Sequence, residues 1–522
     1  KRKGRKVMQN NKETKQTKVS IIERVGSKIP DPVIIFICLY AFVMIITGLF
    51  GGSTFETLGQ DGSNVVYEIK NMFHTENVLW IFNNALLTNW LAYAGGILGT
   101  ILIVMFGIGI AEESGLLAAL IRKIGGNISQ RLLPYLLVFL GIMSNIATDA
   151  GYIILIPLAG LLYLGLKKNP LIGMFAAFAG VSAGFSANLV PATVVDIIIG
   201  KNAQVFAESQ GVPFVSYLGK SINPFMMHYI FMIASTVLLV LLGGFVTNRF
   251  IRPKFEKIDY TVPKDFQINE YGVTKEETKA LRWAGLGFIL SLAICMFVAM
   301  GPLATYVDDA GQKVMPFLDN IILLITFVFF TSGLFYGIAI GKFKKSNDVV
   351  TAMSKQIGGM GYVIVLTFFS YNFLALLTYS NIGTYITYLG ANLLEVLNLS
   401  SSPTLLIIAF IIITAIINLF VGGLTTKWML LGPIFIPMLY QANSNMTPDV
   451  VAAAYRLADS STNIITPLMS YAGVVLIYMR KYKEDFTVGN LITAMLPYSI
   501  TFLISWTLLL LAFIGFKIPL GF

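Results

Sequence analysis

Charge is what this chain has least of. Only 12% of its 522 residues are Asp, Glu, Lys or Arg, about half the roughly 25% usual in soluble domains. Histidine and cysteine occur twice each, as His74 and His228, and as Cys38 and Cys295. Two isolated histidines leave no His-based metal centre. Two cysteines inside apolar runs leave no disulfide framework and no thiolate cluster. No nucleophile–His–acid set stands ready for a buried hydrolytic centre. No enzyme, no resident cofactor and no metal beyond a coupling Na⁺ are expected.

What is there is apolar. Hydrophobic residues make up 56% and aromatics 13%, with a mean hydropathy of +0.75. A soluble fold cannot hide so much apolar surface, whereas a bilayer accepts it. The formal net charge of +10 raises the question of nucleic acid. The placement of that charge answers it, because Lys and Arg gather in short segments between apolar runs, as the positive-inside rule requires. Membrane lipid is the expected surrounding, and no nucleic-acid partner is expected.

Nine segments approach or exceed the about 20 residues that cross a bilayer: 33–50, 94–114, 170–200, 223–247, 281–300, 318–340, 356–379, 450–480 and 490–514. Those at 170–200 and 450–480 are too long and too polar at the centre to be simple spans. Two further stretches, 132–166 and 403–441, are apolar but interrupted by small polar residues, and read as helical hairpins. The fold class predicted is an all-α polytopic membrane protein of about nine transmembrane helices plus two re-entrant hairpins. With the N-terminus inside, 30 of the 37 Lys and Arg residues fall on inner segments, five on outer ones, and Lys427 and Arg456 at membrane depth. That ratio sets a cytoplasmic N-terminus, an external C-terminus and re-entry of both hairpins, in the cell (inner) membrane. No secretory leader is read in the basic start. Residues 1–32 read as a cytoplasmic tail and entry to the first span, 33–247 as a first half, 248–280 as a cytoplasmic loop and 281–522 as a second half. Segments 51–77 and 301–317 read as acidic outer loops, and 78–92 as an interfacial helix.

The two halves repeat a pattern. Ser144-Asn145-Ile146-Ala147-Thr148-Asp149-Ala150-Gly151 interrupts the first hairpin, and Gly180 to Pro191 follows, rich in Ser, Gly and Asn. Asn418 to Trp428 interrupts the second hairpin, and Arg456 to Pro467 follows. Asn145 and Asn418 stand 273 apart, and Asn188 and Asn463 stand 275 apart. The first hairpin opens inward and the second outward, so the repeats are inverted. Inverted repeats with broken helices are the build of secondary transporters, with the substrate site where the breaks meet.

Mid-membrane breaks need partners for the freed backbone groups. Ser, Thr, Asn and Gly are the residue types expected there, Gly422 and Gly423 for the turn and Thr426, Ser186 and Ser460 among the hydroxyls. Asn145, Thr148 and Asn188 in one repeat, and Asn418, Thr425 and Asn463 in the other, offer oxygens suited to Na⁺. Asp149 is a further ion-coupling candidate, or a water-facing residue at a hairpin tip. Asp196 lies late in its helix and is weighed between that role and outer water. Lys427, Arg456 and helix N-termini suit the carboxylates of an anionic substrate, and Trp428 suits an aromatic ring. Arg456 and Asp459 are spaced i, i+3, and are expected to pair with each other until substrate displaces Asp459, which then takes a proton or holds a cation. Small polar residues in membrane helices also serve close packing alone, Glu112 and Glu113 read as interfacial, and His228 as an interface residue.

The runs Gly107–Gly115, Ser144–Pro157, Ala176–Asn188 and, above all, Ala453–Ser470 resemble the AbgT family of p-aminobenzoyl-glutamate transporters, from about residue 20 to about residue 515. The resemblance implies a bowl-shaped homodimer and a small anionic substrate. It places functional positions on Asn418, Thr425, Trp428, Pro448, Arg456, Asp459 and Pro467, with Thr425 where a serine is expected. It places a further functional aspartate at Val195, one residue before Asp196. The function it implies is cation-coupled transport of p-aminobenzoyl-glutamate or a similar aromatic amino-acyl anion. Efflux of sulfonamides on the same scaffold, a channel and a membrane-embedded enzyme are the alternatives.

Overall fold

The computed structural model describes residues 32–58, 64–125, 131–147, 151–262, 273–307, 313–358, 361–419, 423–466 and 471–522. The chain is built of helices, with two small antiparallel hairpins, 54–58 on 64–68 and 306–307 on 313–314, in loops between them.

Six described helices are long and apolar enough to cross a membrane: Val33–Phe50, Tyr229–Phe255, Lys275–Met300, Ile321–Ala339, Gly361–Tyr379 and Val488–Gly515. The segment expected at 94–114 is the helix Ala92–Ser114. It is fed by a helix Thr75–Asn84 and a π turn at Leu87–Leu91, in place of the single interfacial helix expected there. Shorter helices escape a reading based on span length, Ser346–Gly358 among them. Leu116–Gly125 follows directly on Gly115, and Ile382–Val396 lies against the second hairpin.

The repeats are plain in the packing. The first hairpin has arms Leu133–Ser144 and Gly151–Gly165, and the second has arms Pro403–Asn418 and Leu424–Ala442. Each first arm packs on the leading half of its own repeat's broken helix, Pro170–Ala183 or Pro448–Asn463. Proline opens the second hairpin and both broken helices, at Pro403, Pro170 and Pro448, where its missing N–H costs nothing. Asn169 accepts from Leu171 N ahead of Pro170, at 3.0 Å. The closing helices of the repeats, Tyr229–Val246 and Val488–Gly515, pack on each other. Thr247 Oγ1 lies 2.6 Å from Tyr498 OH, and Trp506 Nε1 donates to Ser235 Oγ at 2.6 Å.

The first hairpin meets its broken helix backbone to backbone. A Cβ on Gly180 would lie 2.3 Å from the Val138 carbonyl oxygen, and one on Gly141 2.6 Å from Val181 N. Neither neighbour is a side chain that can turn away. Gly180→Ala should therefore force the two helices apart, at a cost of about 1–3 kcal/mol, and Gly180→Leu should abolish folding. Thermal melting in detergent checks this, and an unshifted Gly180→Ala midpoint would contradict the packing.

Candidate transport site

Both long polar segments are broken helices. The first runs Pro170–Ala183, tightens into one turn at Gly184–Ser186, opens, and restarts as Val194–Ser209. Ala192, in the opening, holds a left-handed φ of 55°, a conformation that a Cβ disfavours. The second runs Pro448–Asn463 and restarts as Ala472–Arg480. The restart at Val194 corrects the reading of Asp196 as late in its helix. It is an N-terminal residue, and it forms a capping box with Thr193. Its Oδ2 accepts from Thr193 N at 2.9 Å and from Thr193 Oγ1 at 2.7 Å. It is buried, so it does not face outer water.

Five charged residues are buried in this region, none more than 4% exposed: Asp196, Lys427, Asp449, Arg456 and Asp459. Asp449 accepts from Thr447 Oγ1 at 2.5 Å and from Tyr217 N at 3.3 Å, and the other four form two pairs. Arg456 NH2 donates to Asp196 Oδ1 at 2.6 Å, and Lys427 Nζ lies 2.6 Å from Asp459 Oδ1. The expected pairing of Arg456 with Asp459 is thereby corrected. On a helix, i and i+3 diverge by about 60°. That divergence sends Arg456 toward the first repeat and Asp459 toward its own hairpin. Lys427 is the close partner of the Asp459 carboxylate, and among the described residues no other donor reaches either of its oxygens. Arg456 is held more fully, since NH2 also donates to the Phe185 carbonyl at 3.0 Å.

The amide ligands divide. Asn418 Nδ2 donates to Asp459 O at 2.6 Å and to Thr462 Oγ1 at 2.7 Å, while its Oδ1 accepts from Lys427 Nζ. Asn145 Nδ2 donates to the carbonyls of Gly141, Ile142 and Val181, and among the described residues its buried Oδ1 accepts nothing. Asn188 Nδ2 donates to Ile142 O at 3.2 Å, and its Oδ1 accepts from Val190 N at 2.9 Å. Ser186 Oγ lies 2.6 Å from Ser460 Oγ and donates to the Arg456 carbonyl at 3.1 Å. These serines stand 274 apart, within one residue of each asparagine spacing, so nearly equivalent positions of the two repeats touch. Contacts of that kind lie close to the place where the two repeats meet.

Each hairpin's second arm sets an aromatic against the far half of the other repeat's broken helix. Tyr152 stacks on Tyr471, with ring centroids 4.7 Å apart. Trp428 donates Nε1 to Ile199 O at 3.2 Å and packs on Tyr455 and Phe206. Trp428 is fully buried, so the open indole face expected for a substrate ring is taken by protein in this conformation. Thr425 and Thr426 are half-buried beside it, Gly423 turns with a left-handed φ of 79°, and Asn463 ends its helix buried. Thr148, Asp149, Gly422 and Pro467 lie outside the described residues. Glu113 forms an ion pair with Lys355 at 2.6 Å, away from the breaks.

Inverted repeats, two broken helices and buried charges at their junction define a polytopic membrane transporter. The chain belongs to the AbgT putative transporter family, which it matches over residues 18–522. It is 30% identical over 505 residues to the p-aminobenzoyl-glutamate transport protein of Escherichia coli (strain K12), covering 96% of this chain and 95% of that one. Its structure is similar to that of the YdaH transporter of Alcanivorax borkumensis, with a TM-score of 0.84 and 31% identity, over 94% of this chain and 100% of that one. It is also similar to MtrF of Neisseria gonorrhoeae, with a TM-score of 0.81 and 33% identity, over 94% and 96% of the chains. The structure of MtrF is described as illuminating a class of antimetabolite efflux pumps.

Proposed function

We propose that this chain is a cation-coupled secondary transporter of p-aminobenzoyl-glutamate or a close aromatic amino-acyl anion, acting as a homodimer in the cell membrane. The observation that carries this is the pair of buried cations, Arg456 and Lys427, each neutralised by a protein carboxylate. A glutamyl substrate brings two carboxylates of its own. Exchanging them for Asp196 and Asp459 keeps each cation paired in the loaded state, and unpaired buried charge is the state the membrane interior penalises most. The name of the Escherichia coli relative points to the same substrate.

The displaced carboxylates then need cations, which provides the coupling. For Na⁺, Asn145 Oδ1 is a buried oxygen with spare lone pairs, suited to a hard ion. In the second repeat the matching Asn418 Oδ1 already holds the Lys427 ammonium. For H⁺, Asp459 is the acceptor. Uptake of radiolabelled p-aminobenzoyl-glutamate into proteoliposomes, with Na⁺ and pH gradients varied separately, distinguishes the two. Transport unchanged when choline replaces Na⁺ at fixed pH would remove the sodium version.

The two-carboxylate reading has its own check. p-Aminobenzoate, with one carboxylate, should compete for uptake at least about tenfold more weakly than unlabelled p-aminobenzoyl-glutamate, the effect of removing one charge-assisted hydrogen bond. Equal competition would contradict it. Efflux of sulfonamides is the second reading, favoured by the likeness to MtrF. Sulfonamides carry no carboxylate, so on that reading sulfonamide should compete better than p-aminobenzoate.

A further inference from the structure

His228 lies just ahead of the helix Tyr229–Val246 and is 3% exposed. Its ring stands between two points of one helix in the other repeat. Nε2 lies 2.8 Å from the Asp449 carbonyl oxygen, and Nδ1 lies 3.5 Å from Arg456 NH1. A carbonyl oxygen only accepts, so Nε2 must carry a proton. A guanidinium nitrogen only donates, so Nδ1 must be bare. The two ends demand the same neutral tautomer, and a second proton on the ring would set N–H against N–H beside a fixed positive charge.

We infer that His228 is a positioning residue for Arg456: its bare Nδ1 holds NH1, while Asp196 and the Phe185 carbonyl hold NH2, so that the guanidinium is presented to a substrate carboxylate in one orientation. This rests on the assignment of Arg456 to the substrate site. The arrangement ties three parts of the site together. Asp196 comes from the restarted half of the first broken helix and Arg456 from the second. His228 leads the closing helix of the first repeat and anchors through Asp449 to the start of the helix that bears Arg456. Ala192, Asp196, His228 and Arg456 also line one small polar cavity. A guanidinium fixed at one end only would swing with Asp196 when substrate arrives. With NH1 fixed as well, it stays where the carboxylate must dock.

Two isosteres separate the ring's roles. Asparagine places Oδ1 near the position of Nδ1 and keeps the acceptor for Arg456. Glutamine places its Nε2 near the ring's Nε2 and keeps only the donor to Asp449 O. With p-aminobenzoyl-glutamate as the probe in proteoliposomes, His228→Asn should keep a KM near that of the parent. His228→Gln and His228→Ala should raise KM by about tenfold or more, the effect of removing one hydrogen bond to a charged group. The reverse order, with Gln retained and Asn impaired, or three unchanged KM values, would overturn the inference. Arg456→Ala is the control. If it transports normally the site assignment itself fails, whereas if it is inactive and all His228 variants are normal, only the role of His228 fails. A measurement on the ring itself does not depend on altering His228. With ¹⁵N-histidine, the two histidines of the chain give two sets of ring signals, told apart by His74→Gln. His228 should show a protonated Nε2 and an unprotonated Nδ1, and a protonated Nδ1 would overturn the inference.

Discussion

Arg456→Ala should abolish transport and lower stability together. The variant strips Asp196 of its only ion partner among the described residues, and an uncompensated buried charge costs about 3–5 kcal/mol. The two effects separate in a double variant. Arg456→Ala with Asp196→Ala removes both charges, so it should recover most of the missing thermal stability while remaining inactive. Arg456→Lys should fold but transport poorly. One ammonium cannot satisfy Asp196, the Phe185 carbonyl and His228 in the directions a planar guanidinium does. Melting curves and proteoliposome uptake of each variant check this. Wild-type transport by a normally folded Arg456→Ala would remove the site assignment.

The second pair is held differently, because among the described residues Lys427 is the one donor to the Asp459 carboxylate. Lys427→Met leaves the Asp459 carboxylate buried and unpaired, and should destabilise by a similar margin of about 3–5 kcal/mol. Adding Asp459→Asn should restore stability, so that the double variant melts above the Lys427→Met single variant. That sign in a double-mutant cycle is the signature of a coupled buried pair. Asp459→Asn alone should also lose stability, since it leaves the buried Lys427 ammonium without a carboxylate. The loss should be smaller than for Lys427→Met, because Asn418 still holds the ammonium, and uptake should lose its response to the driving gradient. Uptake that still follows the gradient in Asp459→Asn would assign the coupling elsewhere.

The repeats were legible because their signal is local. Glycine, serine and asparagine inside apolar runs mark breaks wherever they occur, and Asn145 with Asn418 and Asn188 with Asn463 show nearly one spacing twice. The charge pairing was not legible. Arg456 and Asp196 are 260 residues apart, while Asp459 is the acid a linear reading finds first. Thr193-Val-Val-Asp196 is a helix-start pattern, and it places Asp196 at the beginning of a new helix rather than at the end of the preceding one. His228 carried no cue, since a lone histidine at the start of a span looks the same whether it faces lipid or an arginine. The helix Ile382–Val396 was overlooked for its length. At 15 residues it is too short for a span, although Ile382, Gly383, Thr387 and Ala391 form its buried face.

The contact between Ser186 and Ser460 has a consequence for movement. A transporter of this build turns from one side of the membrane to the other when its two repeats trade conformations. Under that trade almost every contact between repeats is replaced by its mirror partner: what Trp428 does against Ile199, Tyr152 must come to do against the far repeat. A contact between nearly equivalent positions is moved least by the trade. The two serine hydroxyls, 2.6 Å apart, should therefore stay close throughout the cycle. They mark a point of small displacement, and a Ser186→Cys, Ser460→Cys disulfide should slow uptake less than a Tyr152→Cys, Tyr471→Cys bridge across the repeats.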